Sequence, residues 1–352
     1  MANPRPELEK QYMSTKPTKK VAEPRPSASI LLLSPTNEIL LLHRVRTSSS
    51  FPSAHVFPGG NLSASQDGDI PGPNDEGRHV DGRSYRVGAI RECFEESGIL
   101  LARKKGGEGG LLEVGEEERE RARKSIHAGK ERFEEWVERV GGVVDVEALH
   151  PFTRWVTPTN LPKRFTTQMY LYFLPITEST SKSISPESVI PVPTSDGGLE
   201  HTAALFAPCS SWLSQARQNS IILFPPQFYL MYLLAPFLTP ASSPSSSSPL
   251  STSELQKQRH AVLEFLKGDG GDGKGVKWAD KVMSPMGIMM RKSDGRSVLG
   301  LDKPGPELRE SGRRGDEKRV VLVKFGKEGP RNVEVRERRE VLAEEKEGES
   351  KL

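Results

Sequence analysis

Three glutamates within five positions, Glu92, Glu95 and Glu96, define the chemistry open to this 352-residue chain. They lie in the run Arg91-Glu92-Cys93-Phe94-Glu95-Glu96-Ser97-Gly98-Ile99. A helix advancing ~100° per residue places the three carboxylates within about 100° of arc. Ile90, Cys93, Phe94 and Ser97 take the opposite side, so one face is buried while the other carries acids. Crowded like charges cost stability unless a cation sits among them. Hard oxygen donors so arranged suit Mg2+ or Mn2+, which in turn suit phosphate oxygens. Arg91 precedes Glu95 by one helical turn and can hold its carboxylate. Gly88 leaves room on the acidic side, and Gly98 supplies a left-handed helix stop. By themselves such glutamates usually form a solvated face; Arg91, Gly98 and the upstream Phe57-Pro58-Gly59-Gly60 favour a site.

The elements that position this helix follow from patterning. Ile30–Leu33 and Ile39–Leu42 read as strands joined by a turn at Ser34-Pro35-Thr36-Asn37. Asn61 to Arg86 is rich in Gly, Asp, Pro and Ser and reads as a long surface loop, with the acidic helix spanning Gly88 to Ser97. A second helix is expected from Glu116 to Val140, burying Phe133, Trp136, Val137 and Val140. Arg154–Thr157 and Gln168–Pro175 read as strands, Leu205–Ala216 as a strand passing into a helix, and Pro226 as a helix start. A helix at Glu254–Lys267 and a hairpin from Arg319–Phe325 and Asn332–Val335 follow. The expected organisation is a basic leader (1–26), a main domain (27–238), a flexible Ser/Pro linker (239–253), an extension (254–335) and a charged tail (336–352).

Composition narrows the class. Fifty basic residues nearly cancel 47 acidic ones, leaving a net charge of +3 and no argument for nucleic-acid binding. The two cysteines, Cys93 and Cys209, are too few for a disulfide framework or a zinc module and fit a reducing compartment. Cys93 reads as a buried small hydrophobe and Trp136 and Trp155 as core aromatics. The basic, proline-rich N-terminus lacks the apolar run of a secretory signal. Ile221–Leu238, the longest apolar stretch, is broken by Pro225, Pro226, Gln227 and Pro236, so it reads as a buried helix in a soluble chain with no membrane span.

The run from Arg91 to Ile99 resembles the core of the Nudix box, and the Phe-Pro-Gly-Gly entry is shared with many members. One departure stands out. The usual box sets its first glycine about 14 positions before the arginine and a glutamate about eight before it. Here Gly60 lies 31 positions before Arg91, and the glutamate's place is held by Arg83. Asp81 and Glu76 are candidate replacements. Such an enlarged loop is similar to that of a subgroup of peroxisomal and mitochondrial coenzyme A diphosphatases, the nucleoside diphosphate-linked moiety X motif 19 group. Phe51 to Gly60, Arg154-Trp155-Val156-Thr157-Pro158 with Leu161-Pro162-Lys163-Arg164-Phe165, and Pro225-Pro226-Gln227-Phe228-Tyr229 resemble that group as well.

The resemblance implies an α/β fold, a Nudix α/β/α sandwich with a mixed β-sheet. It implies metal ligation by Glu92, Glu95 and Glu96, with Glu95 or Glu96 also orienting the attacking water and Arg91 supporting them. Glu200 is the candidate base outside the box. Gly59 and Gly60 are expected to approach the substrate, with Arg44, Arg46, Lys163 and Arg164 as candidate cations for its phosphates; His55, beside the glycines, reads first as structural. The implied reaction splits the diphosphate of coenzyme A or acyl-coenzyme A into 3′,5′-adenosine bisphosphate and (acyl-)4′-phosphopantetheine. Hydrolysis of NADH, ADP-ribose or a nucleotide sugar is an alternative, although the Ser-Gln-Pro-Trp-Pro-Phe-Pro stretch and four-cysteine module of NADH diphosphatases are absent. A catalytically silent coenzyme A sensor is another. The terminal Ser350-Lys351-Leu352 matches a signal read by the peroxisomal import receptor, which makes the peroxisome the expected location, ahead of the mitochondrion.

Overall fold

The computed structural model describes residues 13–14, 17, 21–45, 53–107, 110–176, 201–239, 250–271, 273 and 275–350. Strands β1 (Arg25–Leu33) and β2 (Ile39–Arg44) are joined by a turn in which Asn37 takes a positive φ of 63°. The short strands β3 (His55–Val56) and β4 (Gly59–Asn61) lead, through the enlarged loop, to α1 (Arg83–Ser97). Next come β5 (Ala102–Lys104), α2 (Glu116–His127), α3 (Phe133–Arg139) and β6 (Gly142–Val144). Strands β7 (His150–Val156), β8 (Phe165–Phe173) and β9 (His201–Ala207) precede α4 (Cys209–Arg217), α5 (Pro225–Leu234) and α6 (Thr252–Lys267). The chain continues through β10 (Val282–Met283), β11 (Met286–Met290), β12 (Ser297–Leu301), β13 (Asp316–Gly326), β14 (Gly329–Glu337) and α7 (Arg338–Ser350).

Eight strands form one mixed sheet in the order β10-β7-β8-β1-β2-β3, with β4 paired to β1 and β9 to β2. β1 and β8 run parallel over nine residue pairs, while β1–β2, β1–β4 and β7–β8 are antiparallel. The run Ile30-Leu31-Leu32-Leu33 is fully buried because both faces of the sheet are covered. Leu31, Leu33, Ile39 and Leu41 point to a core shared with Trp212, Phe228 and Tyr229 of α4 and α5. Ile30, Leu32, Leu40 and Leu42 point to the other core, with Ile90, Cys93 and Phe94 of α1 and Phe133 and Trp136 of α3. The architecture is thus the expected α/β/α sandwich. No helix among the described residues is long and apolar enough to cross a membrane, and Pro225–Leu234 is a buried ten-residue helix.

Three local expectations need correction, and the expected C-terminal hairpin proves to be part of a larger sheet. The helix predicted over Glu116–Val140 is two helices, because Gly129 adopts a left-handed φ of 68° after α2 and the Phe133 amide is claimed by Gln66 Oε1 at 2.8 Å. The loop predicted over Asn61–Arg86 ends earlier: α1 begins at Arg83, a 3-10 turn spans Glu76–His79, and Gln66, Asp67, Arg78 and His79 are buried. The extension after α6 builds a four-stranded antiparallel sheet, β11-β12-β13-β14. Its side chains alternate with period two. Leu299, Leu301, Val321 and Val323 enter the main core, while Val298, Val320 and Leu322 meet Val341 of α7. That last contact folds Arg338–Ser350 as a helix where a solvated charge run was expected. Arg259 of α6 also ties this part to the β1–β2 turn, donating to Asn37 Oδ1 and to the Ser34 and Leu174 carbonyls.

Candidate functional site

α1 packs its apolar side against β1 and sets its acidic edge beside β4. Gly98, at φ 74°, closes the helix with its amide on the Phe94 carbonyl at 2.8 Å. Glu95 and Glu96 are each about 7% exposed and Glu92 18%. Arg91 organises the acids. Its Nη1 donates to both Glu92 Oε1 and Glu95 Oε1 at 2.9 Å. Its Nε and Nη2 form a two-pronged pair with Asp67, at 2.7 and 2.9 Å. Asp67 also accepts the Ser63 amide at 2.7 Å and has a fully buried side chain. A side chain at Gly88 would come within 3.0 Å of that carboxylate, so the glycine is what lets Asp67 reach Arg91.

The glycine pair closes the other side. The Gly59 amide donates to Glu96 Oε2 at 2.8 Å. A Cβ on Gly60 would lie 2.6 Å from the Glu92 carboxylate, so backbone and acid are in the closest approach the chain allows. His201, fully buried at the start of β9, brings Nε2 to 3.6 Å from Glu96 Oε1. His127 of α2 places Nδ1 3.0 Å from Glu95 Oε2.

This site is short of positive charge. Burial, opposed by Arg91 but reinforced by Glu95 and Asp67, pushes the Glu92 carboxyl up to about 7. Two carboxylate oxygens converge on one guanidinium nitrogen, and all three glutamates offer hard donors. A divalent cation fits that donor set, with Glu92, Glu95 and Glu96 as the residues to hold it. Among the described residues no three His, Cys, Asp or Glu side chains are already gathered around one point; the acids turn to Arg91, the Gly59 amide and the two histidines.

Other expected residues are placed as follows. Arg44 is half-buried at the end of β2, opposite His201 in the β2–β9 pairing. Lys163 is exposed in the turn between β7 and β8. Arg164 is not a substrate cation: its guanidinium is 1% exposed and engaged by Glu307 at 2.5 Å and by the Thr157 and Ala22 carbonyls. The candidate loop acids are likewise corrected. Asp81 pairs with Arg86 at 2.6 Å and accepts from Tyr170, and Glu76 is exposed; Asp67 is the acid on Arg91. Arg46, Glu200, Lys351 and Leu352 lie outside the described residues, as does the side chain of Ser350. Cys93 is buried, and burial pushes its thiol up to about 12, in keeping with a packing role. His55 stacks on His43 at 4.6 Å and lies near Trp212, on the sheet face away from α1.

Sequence reasoning misses Asp67, His127 and His201. Only Asp67 carries a signal that could have found it: counted forward from Gly60 it comes seven positions on, one beyond the usual place of the box acid. The extra residues therefore lie between that acid and α1.

Comparison with known proteins finds likenesses to one family. Residues 74–234 match the family model described as the NUDT19 Nudix domain. The chain is 27% identical to the acyl-coenzyme A diphosphatase NUDT19 of Gallus gallus, over 57% of this chain and 61% of that one. It is 29% identical to putative nudix hydrolase 7 of Caenorhabditis elegans, over 42% of this chain and 43% of that one. The alignments thus span less than two thirds of either relative. Among solved structures, a NUDIX hydrolase from Alicyclobacillus acidocaldarius aligns with a TM-score of 0.46 at 21% identity, covering 60% of this chain and 91% of that one. Nudix hydrolases generally use divalent metal ions. The glutamate helix, its arginine and the glycine pair lie together, and residues 74–234 match that family model; in both respects this chain resembles the Nudix hydrolases, and among them the NUDT19 group.

Proposed function

We propose that this chain is a Nudix diphosphatase that hydrolyses the diphosphate linkage of coenzyme A or acyl-coenzyme A with Mg2+ or Mn2+. The observation that carries the reading is the α1 constellation: three largely buried glutamates, Glu92 and Glu95 held by the Arg91–Asp67 pair and Glu96 by the Gly59 amide. The activity named for the chicken relative supplies the substrate class.

Glu92, Glu95 and Glu96 would hold the ion, which when bound neutralises diphosphate oxygens and acidifies water. Arg91 keeps Glu92 and Glu95 in register, and the Gly59 amide fixes one oxygen of Glu96 so that the other can orient water. Water adds to one phosphorus, the bridging P–O bond breaks, and each product leaves as a phosphate monoester, with a proton released to a nearby carboxylate or solvent. Arg44 and Lys163 are the remaining described candidates for the 3′-phosphate and the diphosphate.

The test is incubation of the purified protein with coenzyme A and about 5 mM Mg2+, an excess suited to a weakly held hard cation, with products separated by chromatography. NADH and a Glu95→Gln, Glu96→Gln double variant run alongside. Formation of 3′,5′-adenosine bisphosphate by the wild type and not by the variant is expected. Cleavage of NADH alone would reassign the substrate, and binding of coenzyme A with no cleavage would replace the enzyme by a sensor.

A further inference from the structure

We infer that His127 is a positioning residue for Glu95, and that α2 with the loop after it braces the acidic helix. The inference rests on the proposed role of Glu95 as an ion ligand. His127 Nδ1 lies 3.0 Å from Glu95 Oε2. An ionised carboxylate only accepts hydrogen bonds, so the imidazole carries its proton on Nδ1. Arg91 holds the other oxygen at 2.9 Å.

One turn earlier on α2, Arg123 sends Nε and Nη2 to the Glu95 carbonyl at 3.2 and 2.9 Å. That carbonyl belongs to the last turn of α1, where no intrahelical donor follows. Arg123 is itself fixed, 4% exposed and paired with Glu120 through Nη1. The spacing of Arg123 and His127 puts both on one face of α2. They therefore grip the main chain and the side chain of the same residue.

A second grip lies beyond α2. Gln66 Nε2 donates to the Ile126 and Glu131 carbonyls at 3.3 and 3.0 Å, and Gln66 Oε1 accepts the Phe133 amide. Gln66 adjoins Asp67, the partner of Arg91. The α2–α3 segment thus holds the box through Glu95 and through the loop that carries Asp67. Each Glu95 oxygen keeps a further lone pair for an ion or water, so the hold does not use up its capacity as a ligand. Because the His127 ring is half exposed, it caps the solvent side of a carboxylate that is itself buried.

The experiment compares full-length wild type, His127→Ala and His127→Asn. Asparagine is chosen because its Nδ2 occupies nearly the place of Nδ1 and can donate in its stead. Mn2+ binding is measured without substrate, from the paramagnetic resonance signal of free Mn2+, beside the thermal midpoint and steady-state kinetics with coenzyme A. The expectation is a Mn2+ Kd weakened roughly 10-fold in the alanine variant, a lower kcat at similar KM, an unchanged thermal midpoint, and substantial recovery by asparagine. Wild-type Mn2+ affinity in the alanine variant overturns the inference. So does a variant that loses only thermal stability, or an asparagine variant no better than alanine. A wild type that binds no Mn2+ overturns the ligand reading, and this inference with it, before any variant is compared.

Discussion

Asp67 and Arg91 show how one pair of residues sets the chemistry of a helix. The guanidinium is 5% exposed and the carboxylate fully buried, so neither charge is stable without the other. Asp67→Asn removes the partner but keeps the shape. We expect a loss of about 3 kcal/mol in denaturant unfolding, in the range for breaking a buried pair, and a fall in the proposed diphosphatase activity as Glu92 and Glu95 lose their register. Glu76→Gln, at an exposed position, is expected to stay within about 0.5 kcal/mol of wild type. Equal effects from the two variants would refute the assignment of Asp67. From sequence, the three glutamates, Arg91 and Gly98 were legible because helical periodicity alone determines their faces. Asp67 was not, because its partner lies 24 positions away across an irregular loop that no periodicity governs.

At the scale of elements, the C-terminal sheet is the part that patterning under-read. Its hairpin was visible in Arg319–Phe325 and Asn332–Val335, yet the short, glycine-broken strands around it carry too few apolar residues to imply a core of their own. They do not need one. Leu299, Leu301, Val321 and Val323 complete the core under α4 and α5. Leu299→Ala should therefore cost about 2–5 kcal/mol and shift the unfolding of the whole molecule. Calorimetry is expected to show one transition in wild type and variant alike. A separate low-temperature transition would mean that the sheet folds independently. The single expected helix at Glu116–Val140 failed for a complementary reason. Its apolar stripe is real, but Gly129 and the Gln66 side chain decide where the chain breaks, and the latter is a tertiary contact.

For the molecule as a whole, a loss of stability in acid follows from histidines buried without charge. Burial, with Arg154 close by, lowers His79 to about 4, and burial beside His43 does the same for His55. In the unfolded chain both titrate near 6.5. Between pH 6.5 and 4 the unfolded state binds protons that the folded state refuses, so stability falls as pH drops through that window. The thermal midpoint should decline there, and His79→Asn, which keeps a polar group facing Thr166, should flatten the decline relative to wild type. An identical slope in the variant would show that His79 plays no part. His79 also receives Arg313 on its main-chain carbonyl, which links the enlarged box loop to the segment before β13. By itself, the sequence determined the acidic helix and the alternation of strands and helices, because each depends on local period and residue type. Only the tertiary structure decided which acid neutralises Arg91, which histidines reach Glu95 and Glu96, and that Arg164 is spent on Glu307. Those outcomes depend on burial and on contacts between segments far apart in the chain, where a charge removed from water must take the partner that packing brings to it.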